Sequence, residues 1–299
     1  MSSLEPYDHL LGAVVDAWPA HRRFLDKARD NCAVRDTANL LARDVLSLIG
    51  NDVDRFVAGY RWMCEMMLEE EMHFRRSGSY RLSSFAEANA EVYQNASLMA
   101  RYMDGLLLSQ VLWPNHLKVF DFYRREFLGQ AKDDRHLEIG PGHGLLLHYA
   151  AKSLRGEIAA WDVSQTALER TRKCLTTLGS AAAVRLDVRD ATTPIPGGSP
   201  RCTTIVLSEI LEHLERPADL LGRMAALLSP DGLVFINAPV NSPSIDHIFL
   251  FRSPEELIRL VEDAGLRIRS TCIAPAAGYS EQLARKVKTT ISCALIAQV

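Results

Sequence analysis

The sequence predicts an α/β fold: a mostly parallel, seven-stranded sheet with an antiparallel last strand, preceded by an all-helical region. Before residue 128, apolar residues recur at three- and four-residue spacing, which is typical of amphipathic helices. Beyond residue 133, short β-rich runs alternate with helical patterns, which is typical of parallel strands joined by crossover helices. These patterns predict a helical cap over residues 1–130 and a ligand-binding sheet domain over residues 131–299.

Four helices are predicted in the first region from their apolar stripes. They cover residues 40–49, 56–71, 98–111 and 114–127. Pro114 favours the start of the last of these helices. Glycine with small polar neighbours at 50–52 and 77–79 predicts breaks between the helices.

Seven strands are predicted in the second region, at 135–139, 157–161, 182–187, 203–207, 232–237, 267–273 and 290–298. Amphipathic helices are predicted at 144–153, 165–178, 217–228 and 254–264. This alternation predicts right-handed crossovers, with helices on both faces of the sheet. Residues 274–289 lack the pattern of a full crossover helix, so we expect the seventh strand to insert antiparallel to its neighbours.

Composition excludes several functional classes. The net charge of −3 arises in residues 1–130, where 18 acidic residues outnumber 15 basic ones. This balance, without a clustered Lys/Arg tract, disfavours nucleic-acid binding. We expect no secretory signal, because the first residues lack a basic stretch followed by an apolar one, and no apolar run reaches the roughly 20 residues that a membrane span requires. The six cysteines have no C-x-x-C spacing and are expected to be reduced. We expect a cytoplasmic enzyme or binding protein.

The most informative motif is Leu-Glu-Ile-Gly-Pro-Gly-His-Gly-Leu at 137–145. It follows a predicted strand and precedes a predicted helix, which is the context of a nucleotide-binding loop. Leu145 stands where the dinucleotide pattern G-x-G-x-x-G requires its last glycine. Glu138 would oppose a diphosphate and favours a cationic ligand. A glycine-rich turn without a ligand is the structural alternative.

Further polar residues follow the ends of the next three predicted strands. Asp162 follows the second strand, where a carboxylate can accept hydrogen bonds from both ribose hydroxyls. Its structural alternative is capping of the following helix. Asp190 and Ala191 follow the third strand, and Ser208 ends the fourth. Because parallel strands end at one edge of the sheet, we expect these residues in one ligand site.

These motifs resemble those of the class I S-adenosylmethionine-dependent methyltransferases, and in particular bacterial small-molecule and natural-product enzymes. The resemblance covers residues 133–299 and depends on six segments in order: Leu-Glu-Ile-Gly-Pro-Gly-His-Gly (137–144), Trp-Asp-Val-Ser (161–164), Asp-Ala-Thr (190–192), Ser-Glu-Ile-Leu-Glu-His-Leu (208–214), Leu-Leu-Ser-Pro-Asp-Gly-Leu (227–233), and Phe-Arg-Ser-Pro-Glu-Glu-Leu through Glu-Asp-Ala-Gly-Leu (251–266). It implies a Rossmann-like sheet, with S-adenosylmethionine as cofactor and S-adenosylhomocysteine as product.

The resemblance also implies roles for single residues. Gly140 and Gly142 would let the backbone approach the methionine part of the cofactor, and Glu138 would lie near its ammonium group. The other implied contacts are Asp162 with the ribose hydroxyls, Asp190 and the Ala191 amide with adenine, and Ser208 with the amino-acid end and the methyl group.

Three side chains are candidates for a catalytic base at the acceptor: Glu209, His213 and His247. Glu209 follows the fourth predicted strand, and His247 lies in the loop after the fifth, which often borders the acceptor in the enzymes that this chain resembles. A base is required only if the acceptor must lose a proton. Each candidate could instead be a solvated carboxylate or a packed histidine. No metal is expected, because nothing resembles the Asp/Asp/Asn site of catechol-type methyltransferases.

The helical region is expected to act as a lid over the acceptor. It is rich in aromatic side chains and, apart from Met1, carries six of the eight methionines of the chain. Such a lining suits a flat apolar acceptor such as a phenol or an indole, although a helix-bundle core accounts for most of these residues. The candidates for acceptor contact are Tyr93, Tyr102 and Trp113. Methylation of oxygen, nitrogen or an indole carbon stays open.

Two other functions stay open: a nicotinamide-dependent oxidoreductase, which Leu145 and Glu138 disfavour, and an inactive S-adenosylmethionine-binding interaction protein. An RNA methyltransferase is disfavoured by the even charge balance. The expected partner is a small-molecule substrate, without nucleic acid or membrane. The chain is expected to be a monomer or a homodimer.

Overall fold

The structure, a computed structural model, describes residues 4–132 and 134–299. Residues 1–3 and residue 133 lie outside the described residues. The first three belong to the N-terminal stretch in which no secretory signal is expected, and residue 133 belongs to the predicted sheet domain. Seven α-helices precede the sheet in the part described: α1 Pro6–Ala17, α2 Arg22–Asp30, α3 Arg35–Ile49, α4 Val53–Ser77, α5 Phe85–Ala88, α6 Ala96–Leu112 and α7 Pro114–Phe122.

The predicted all-helical character of the first region is confirmed. Its four apolar stripes lie on α3, α4, α6 and α7, and wider helical turns extend α7 to Phe127. Gly50 and Gly78 follow α3 and α4 with φ of 53° and 72°, a left-handed conformation that ends each helix where the sequence predicts a break.

The second region contains the seven predicted strands: β1 Arg135–Ile139, β2 Glu157–Asp162, β3 Val184–Val188, β4 Cys202–Ser208, β5 Leu228–Val240, β6 Arg267–Pro275 and β7 Ile291–Gln298. Their order in the sheet is β3-β2-β1-β4-β5-β7-β6. The pairs from β3 through β5 are parallel, whereas β7 is antiparallel to both β5 and β6. The predicted antiparallel insertion of the last strand is therefore confirmed.

Five helices join these strands: α8 Leu145–Ser153, α9 Gln165–Thr177, α10 Pro217–Leu227, α11 Pro254–Asp263 and α12 Glu281–Val287. The first four match the predicted helices within one residue at each end. The short α12 lies in the connection from β6 to β7, where the sequence shows no helical pattern strong enough to predict it.

The N-terminal helices pack against one face of the sheet and share its core. The rings of Tyr123 and Phe127 lie 5.1 and 5.5 Å from the ring of Phe235 on β5. Phe120 makes an edge-on contact of 5.0 Å with Tyr149 on α8. One buried apolar cluster therefore runs from α1 to β7, while a second cluster on the other face is covered by α10 and α11.

Two further expectations concern the cysteines and the membrane. All six cysteines lie within the described residues and are free thiols. Among the residues that the structure describes, no helix combines the length and the apolar character that crossing a bilayer requires.

Candidate functional site

The ligand edge of the sheet lies where the strand order reverses. β1 pairs with β2 on one side and with β4 on the other, so the loops after β1 and β4 diverge to opposite faces. Open parallel sheets bind ligands in this crevice. The strand order places Asp190, Asp162, Gly140 and Ser208 in sequence along the edge, as the sequence predicts. Neighbouring strands are about 4.8 Å apart, so the four positions suit an elongated ligand.

The loop after β1 is held in a conformation that glycine permits. Gly140 and Gly142 have φ of 62° and 52°. A Cβ atom on Gly140 would lie 2.2 Å from Cδ1 of Ile210, so this position has no room for a side chain. The Gly140 amide donates to the carbonyl oxygen of Trp161 at 2.8 Å, and the Thr171 hydroxyl donates to that of Gly142 at 2.9 Å. The loop is therefore attached to β2 and α9 before any ligand binds.

Glu138 on β1 is a buried carboxyl group, one oxygen of which has no hydrogen-bond partner among the described residues. Its side chain is 3 % exposed, and the oxygen without a partner is Oε2. Burial raises the pKa of Glu138 to about 8. A cationic group beside this carboxylate would satisfy the orphaned oxygen, so the site fits an ammonium-bearing ligand.

Asp162 and Asp190 lie at the ends of β2 and β3, on the side of the glycine loop away from β4. Oδ1 of the half-buried Asp162 accepts from the Ser164 amide at 2.8 Å. Ser164 itself is the residue that caps α9, so capping does not account for Asp162. The exposed Asp190 accepts from the Thr192 amide at 2.8 Å, which shapes the turn that buries Ala191.

Glu209 lies immediately beyond β4 in a strained conformation, with φ of 55°. Its amide donates to the Asn237 carbonyl at 2.8 Å, and the Asn237 side-chain amide donates to Oε1 of Glu209 at 2.6 Å and to the Ser208 hydroxyl at 3.3 Å. Burial raises the pKa of Glu209 to about 7. The carboxylate is thus held next to the methionine end of the predicted cofactor site.

Glu212, three residues after Glu209, lies in a group of polar side chains that we call the polar cluster. Its other members are His213, Ser244, Asp246 and His247. Glu212 is 0 % exposed, and neither of its side-chain oxygens accepts from an N–H group or a hydroxyl group of the described residues; it faces the carboxyl group of Glu209. Burial and the neighbouring Glu209 raise its pKa well above the usual value. Nε2 of His213 lies 3.7 Å from Oε1 of Glu212. The His213 and His247 rings are 5.0 Å apart and nearly perpendicular.

Both imidazoles of this cluster are oriented by backbone carbonyls. Nδ1 of His247 lies 2.7 Å from the Ser242 carbonyl oxygen, and Nδ1 of His213 lies 3.0 Å from that of Asp246. Because a carbonyl oxygen only accepts, Nδ1 carries a proton in each ring, and in the neutral form of either ring the lone pair is on Nε2. Burial lowers the pKa of His247 to about 4, so this ring is neutral at pH 7.

Two of the three predicted acceptor contacts reach this cluster. The Tyr93 hydroxyl lies 3.2 Å from Nδ1 of His213, and the Tyr102 hydroxyl lies 2.7 Å from the Ser244 hydroxyl. Trp113 is not brought to them. It follows the end of α6, roughly 16 Å along the helix from Tyr102, and its indole N–H donates to the Tyr60 hydroxyl at 2.9 Å.

Tyr80, Asn237 and Ser244 are among the residues in and around the polar cluster that were not predicted. Asn237 pairs with Ser208 across β4 and β5, so the rule that strand ends share one edge could have found it. The Tyr80 hydroxyl accepts from the Ser242 amide at 3.0 Å, and its ring lies 5.8 Å from that of His247. No local pattern in the sequence links Tyr80 to a loop 162 residues away.

Comparison with known proteins supplies a family and a fold. Residues 115–271 match a family described as a methyltransferase domain. No curated protein is similar enough in sequence to count as a match.

Three solved structures have a similar fold. An O-methyltransferase family protein from Burkholderia thailandensis is 16% identical, with a TM-score of 0.55 over 82% of this chain and 71% of its own. The mitomycin 7-O-methyltransferase MmcR is 17% identical, with a TM-score of 0.54 over 87% and 75%. The neocarzinostatin-pathway O-methyltransferase NcsB1, solved with S-adenosylmethionine and 2-hydroxy-5-methyl naphthoic acid, is 19% identical, with a TM-score of 0.52 over 79% and 68%.

Proposed function

Since the chain belongs to the methyltransferase domain family, which it matches over residues 115–271, we propose that it methylates a small aromatic metabolite. The methyl donor is S-adenosylmethionine, which leaves as S-adenosylhomocysteine. One observation carries this proposal: the glycine loop lies against the segment that begins the polar cluster. The Ile210 side chain covers Gly140, and Ile210 directly follows Glu209 in the chain. A cofactor on the loop and an acceptor in the cluster would therefore be neighbours.

The predicted cofactor residues fit the two ends of S-adenosylmethionine. Glu138, buried and without a partner on Oε2, would hold the ammonium group, and Gly140 and Gly142 would let the backbone approach the amino-acid part. Asp162 would accept from the ribose hydroxyls. Asp190 and the Ala191 amide would hold adenine, and the backbone at Ser208 would face the amino-acid end and the methyl group.

The residues of this chain contribute mainly alignment and exclusion of water. The sulfonium of the bound cofactor supplies an electrophilic methyl group. Holding an acceptor in line with it is worth on the order of 7–11 kcal/mol in favourable intramolecular cases. Burial of Glu212, Asp246 and His247, each no more than 6 % exposed, makes the acceptor side of the site dry.

Glu209 is the best placed general base, with His247 as a second candidate. The Glu209 carboxylate is held by Asn237 at the tip of β4, next to the glycine loop. His247 presents an unprotonated Nε2, because Nδ1 donates to the Ser242 carbonyl. A base in either position would accept the proton of a hydroxyl or an N–H acceptor.

The helical region of residues 1–130 is proposed to be the acceptor lid. Tyr93 and Tyr102 reach the cluster from this region and would contact a flat aromatic ring. The solved structure of NcsB1, which holds a hydroxynaphthoic acid, supports an aromatic acceptor for this fold. Trp113 would contribute to packing beside Tyr60 rather than to the acceptor pocket.

Thermal shift and a substrate screen test this function. We expect S-adenosylhomocysteine to raise the melting temperature and NAD(H) to leave it unchanged. A panel of phenols, hydroxynaphthoates and indoles with S-adenosylmethionine should give a product heavier by one methylene unit, whose position mass fragmentation locates. Stabilisation by NAD(H) alone would support an oxidoreductase instead, and cofactor binding without turnover of any acceptor would support the interaction protein.

Substitutions separate binding from turnover. We expect Glu209→Ala and His247→Ala to retain near-normal affinity for S-adenosylhomocysteine and to lose turnover, by roughly 10²–10⁴-fold for the residue that acts as the base. Wild-type turnover in either variant would remove that residue from the proposed chemistry.

A further inference from the structure

We propose that Glu212, His213 and His247 bind one divalent transition-metal ion at the acceptor end of the site. The potential ligand atoms of these three side chains lie within 4.8 Å of one another. Ligands that are each 2.0–2.2 Å from a metal are at most about 4.4 Å apart, so small side-chain movements would complete the site. The metal site itself follows from the geometry, whereas its role in catalysis rests on the proposed methyl transfer.

Both imidazoles make the second hydrogen bond that metal-binding histidines commonly make. A histidine that binds a metal through one ring nitrogen commonly donates the other N–H to a carbonyl or a carboxylate. Here Nδ1 of His213 faces the Asp246 carbonyl at 3.0 Å, and Nδ1 of His247 faces the Ser242 carbonyl at 2.7 Å. Nε2 is consequently the nitrogen through which each neutral ring would bind the ion, and Nε2 of His213 already lies 3.7 Å from Oε1 of Glu212.

Glu212 is the independent indication that a cation belongs here. Its carboxyl group is completely buried, and neither oxygen accepts from an N–H group or a hydroxyl group of the described residues; the side chain that faces it is another carboxyl group, that of Glu209. Glu209 and Asp246 add two further carboxyl groups whose charge acts on Glu212. A buried carboxylate without a partner is costly, and a bound cation would compensate both the charge and the missing hydrogen bonds.

The ligand set selects the class of ion. Two imidazoles and one carboxylate are typical of zinc, iron, cobalt and related ions, with coordination positions left open, whereas magnesium and calcium prefer oxygen ligands. The site therefore differs from the Asp/Asp/Asn arrangement of catechol-type enzymes. The proposal replaces the sequence-based expectation of a site without metal.

An ion at this position would select an acceptor that carries a hydroxyl group. The open coordination positions would take the hydroxyl oxygen, which aligns it beside the glycine loop and lowers its pKa. In the transfer, the O–H proton goes to Glu209, because Nε2 of His247 would be occupied by the ion, and an oxygen lone pair forms the new O–C bond. The electron pair of the broken S–C bond stays on sulfur, so the products are the methyl ether and S-adenosylhomocysteine. The acceptor class is then a hydroxylated aromatic compound, methylated on oxygen.

Metal binding can be measured without substrate. The full-length protein, treated with a chelator and then dialysed, is titrated with Co²⁺ and with Zn²⁺ by calorimetry, and Co²⁺ is also followed by its visible absorption. We expect one ion per chain. Glu212→Gln and His247→Gln should each weaken metal binding by about 100-fold. Loss of a residue that only hydrogen-bonds to a metal ligand costs roughly 10–100-fold, so loss of a ligand should reach the upper end of that range. Glu91→Gln and His9→Gln change the same residue types at exposed positions and should bind as the wild type does.

A thermal shift with S-adenosylhomocysteine on each variant shows that the variant is folded and that the cofactor site is intact. Absence of a stoichiometric ion in the wild type, or unchanged affinity in both folded variants, would overturn the metal site while leaving the methyltransferase proposal in place. Displacement of Co²⁺ by millimolar Mg²⁺ would also overturn it. Metal binding without any effect of S-adenosylhomocysteine would instead contradict the proposed function and leave the metal site standing.

Discussion

Glu138 shows how one buried side chain connects stability with ligand binding. Burial raises its pKa to about 8, so the carboxyl is protonated in the folded, ligand-free protein at pH 7 and ionised in the unfolded chain. Folding between pH 4.5 and pH 8 therefore takes up a proton. The stability from this residue is complete below pH 4.5 and is lost as the pH rises towards 8. An ammonium group beside Glu138 would restore the ionised form.

We expect Glu138→Gln to remove this dependence. In the wild type, the free energy of unfolding should fall by up to about 1.4 kcal/mol per pH unit between pH 5.5 and pH 7.5 because of this residue. The difference between wild type and variant, from urea titrations across that range, isolates the contribution of Glu138. In the same range, S-adenosylhomocysteine binding to the wild type should release a proton, which calorimetry in buffers of different ionisation enthalpy detects. If the free energy of unfolding depended on pH in the same way in the wild type and in Glu138→Gln, the raised pKa of Glu138 would be contradicted.

Asp162 tests the other end of the cofactor site. We expect Asp162→Ala to keep the fold and to weaken S-adenosylhomocysteine binding by at least tenfold, because a hydrogen bond to a charged group contributes roughly 1.5–3 kcal/mol. Asp263→Ala, at an exposed position at the end of α11, is the matched control. Affinity measured by calorimetry that is equal in wild type and Asp162→Ala would exclude the ribose contact.

At the scale of elements, the segment from Ser84 to Tyr93 closes the polar cluster. A capping box begins α5: the Ser84 hydroxyl accepts from the Glu87 amide at 3.3 Å, and the Glu87 carboxylate accepts from the Ser84 amide at 3.1 Å. Val92 packs in a small apolar cluster against Ile245 and Ile248 of the loop that carries His247. Because this cluster is small, an acceptor could enter by local opening of the segment at little cost to the rest of the fold.

Glu87→Ala should loosen this segment without unfolding the protein. Loss of the cap costs about 1 kcal/mol, so hydrogen exchange of the amides at 84–93 should quicken by about fivefold. Exchange in β1 and β4 should stay as in the wild type. Glu91→Ala, an exposed change within the same segment, is the control. Equal exchange in both variants would show that the capping box does not hold the segment closed.

At the scale of the whole molecule, the helical region and the sheet share one apolar cluster and should unfold together. Phe120, 2 % exposed, joins them through Tyr149, and Asn115 donates to the Ser292 hydroxyl at 3.0 Å. The predicted boundary near residue 130 thus separates two kinds of secondary structure that bury a common surface.

We expect Phe120→Ala to lower the free energy of unfolding by about 3–5 kcal/mol. Trp161 lies on β2, whereas the other three tryptophans lie in the helical region, so Trp161→Phe leaves fluorescence that reports on the helices. Their unfolding transition should coincide with the far-ultraviolet circular dichroism of the whole chain, before and after Phe120→Ala. Separate transitions would show two units that fold independently.

The sequence by itself determined the order of the elements, the glycine loop and the polar residues along the sheet edge. These features are local: apolar periodicity sets helix or strand, a glycine at positive φ marks the turn, and parallel strands end at one edge. Only the tertiary structure decided which distant side chains meet. It brings Tyr80 to His247, Tyr93 to His213 and Tyr102 to Ser244, and it leaves Trp113 beside Tyr60. It also places a backbone carbonyl at Nδ1 of both imidazoles. Contacts between segments remote in the chain depend on how helices and loops pack over the sheet, and no local spacing in the sequence records that packing.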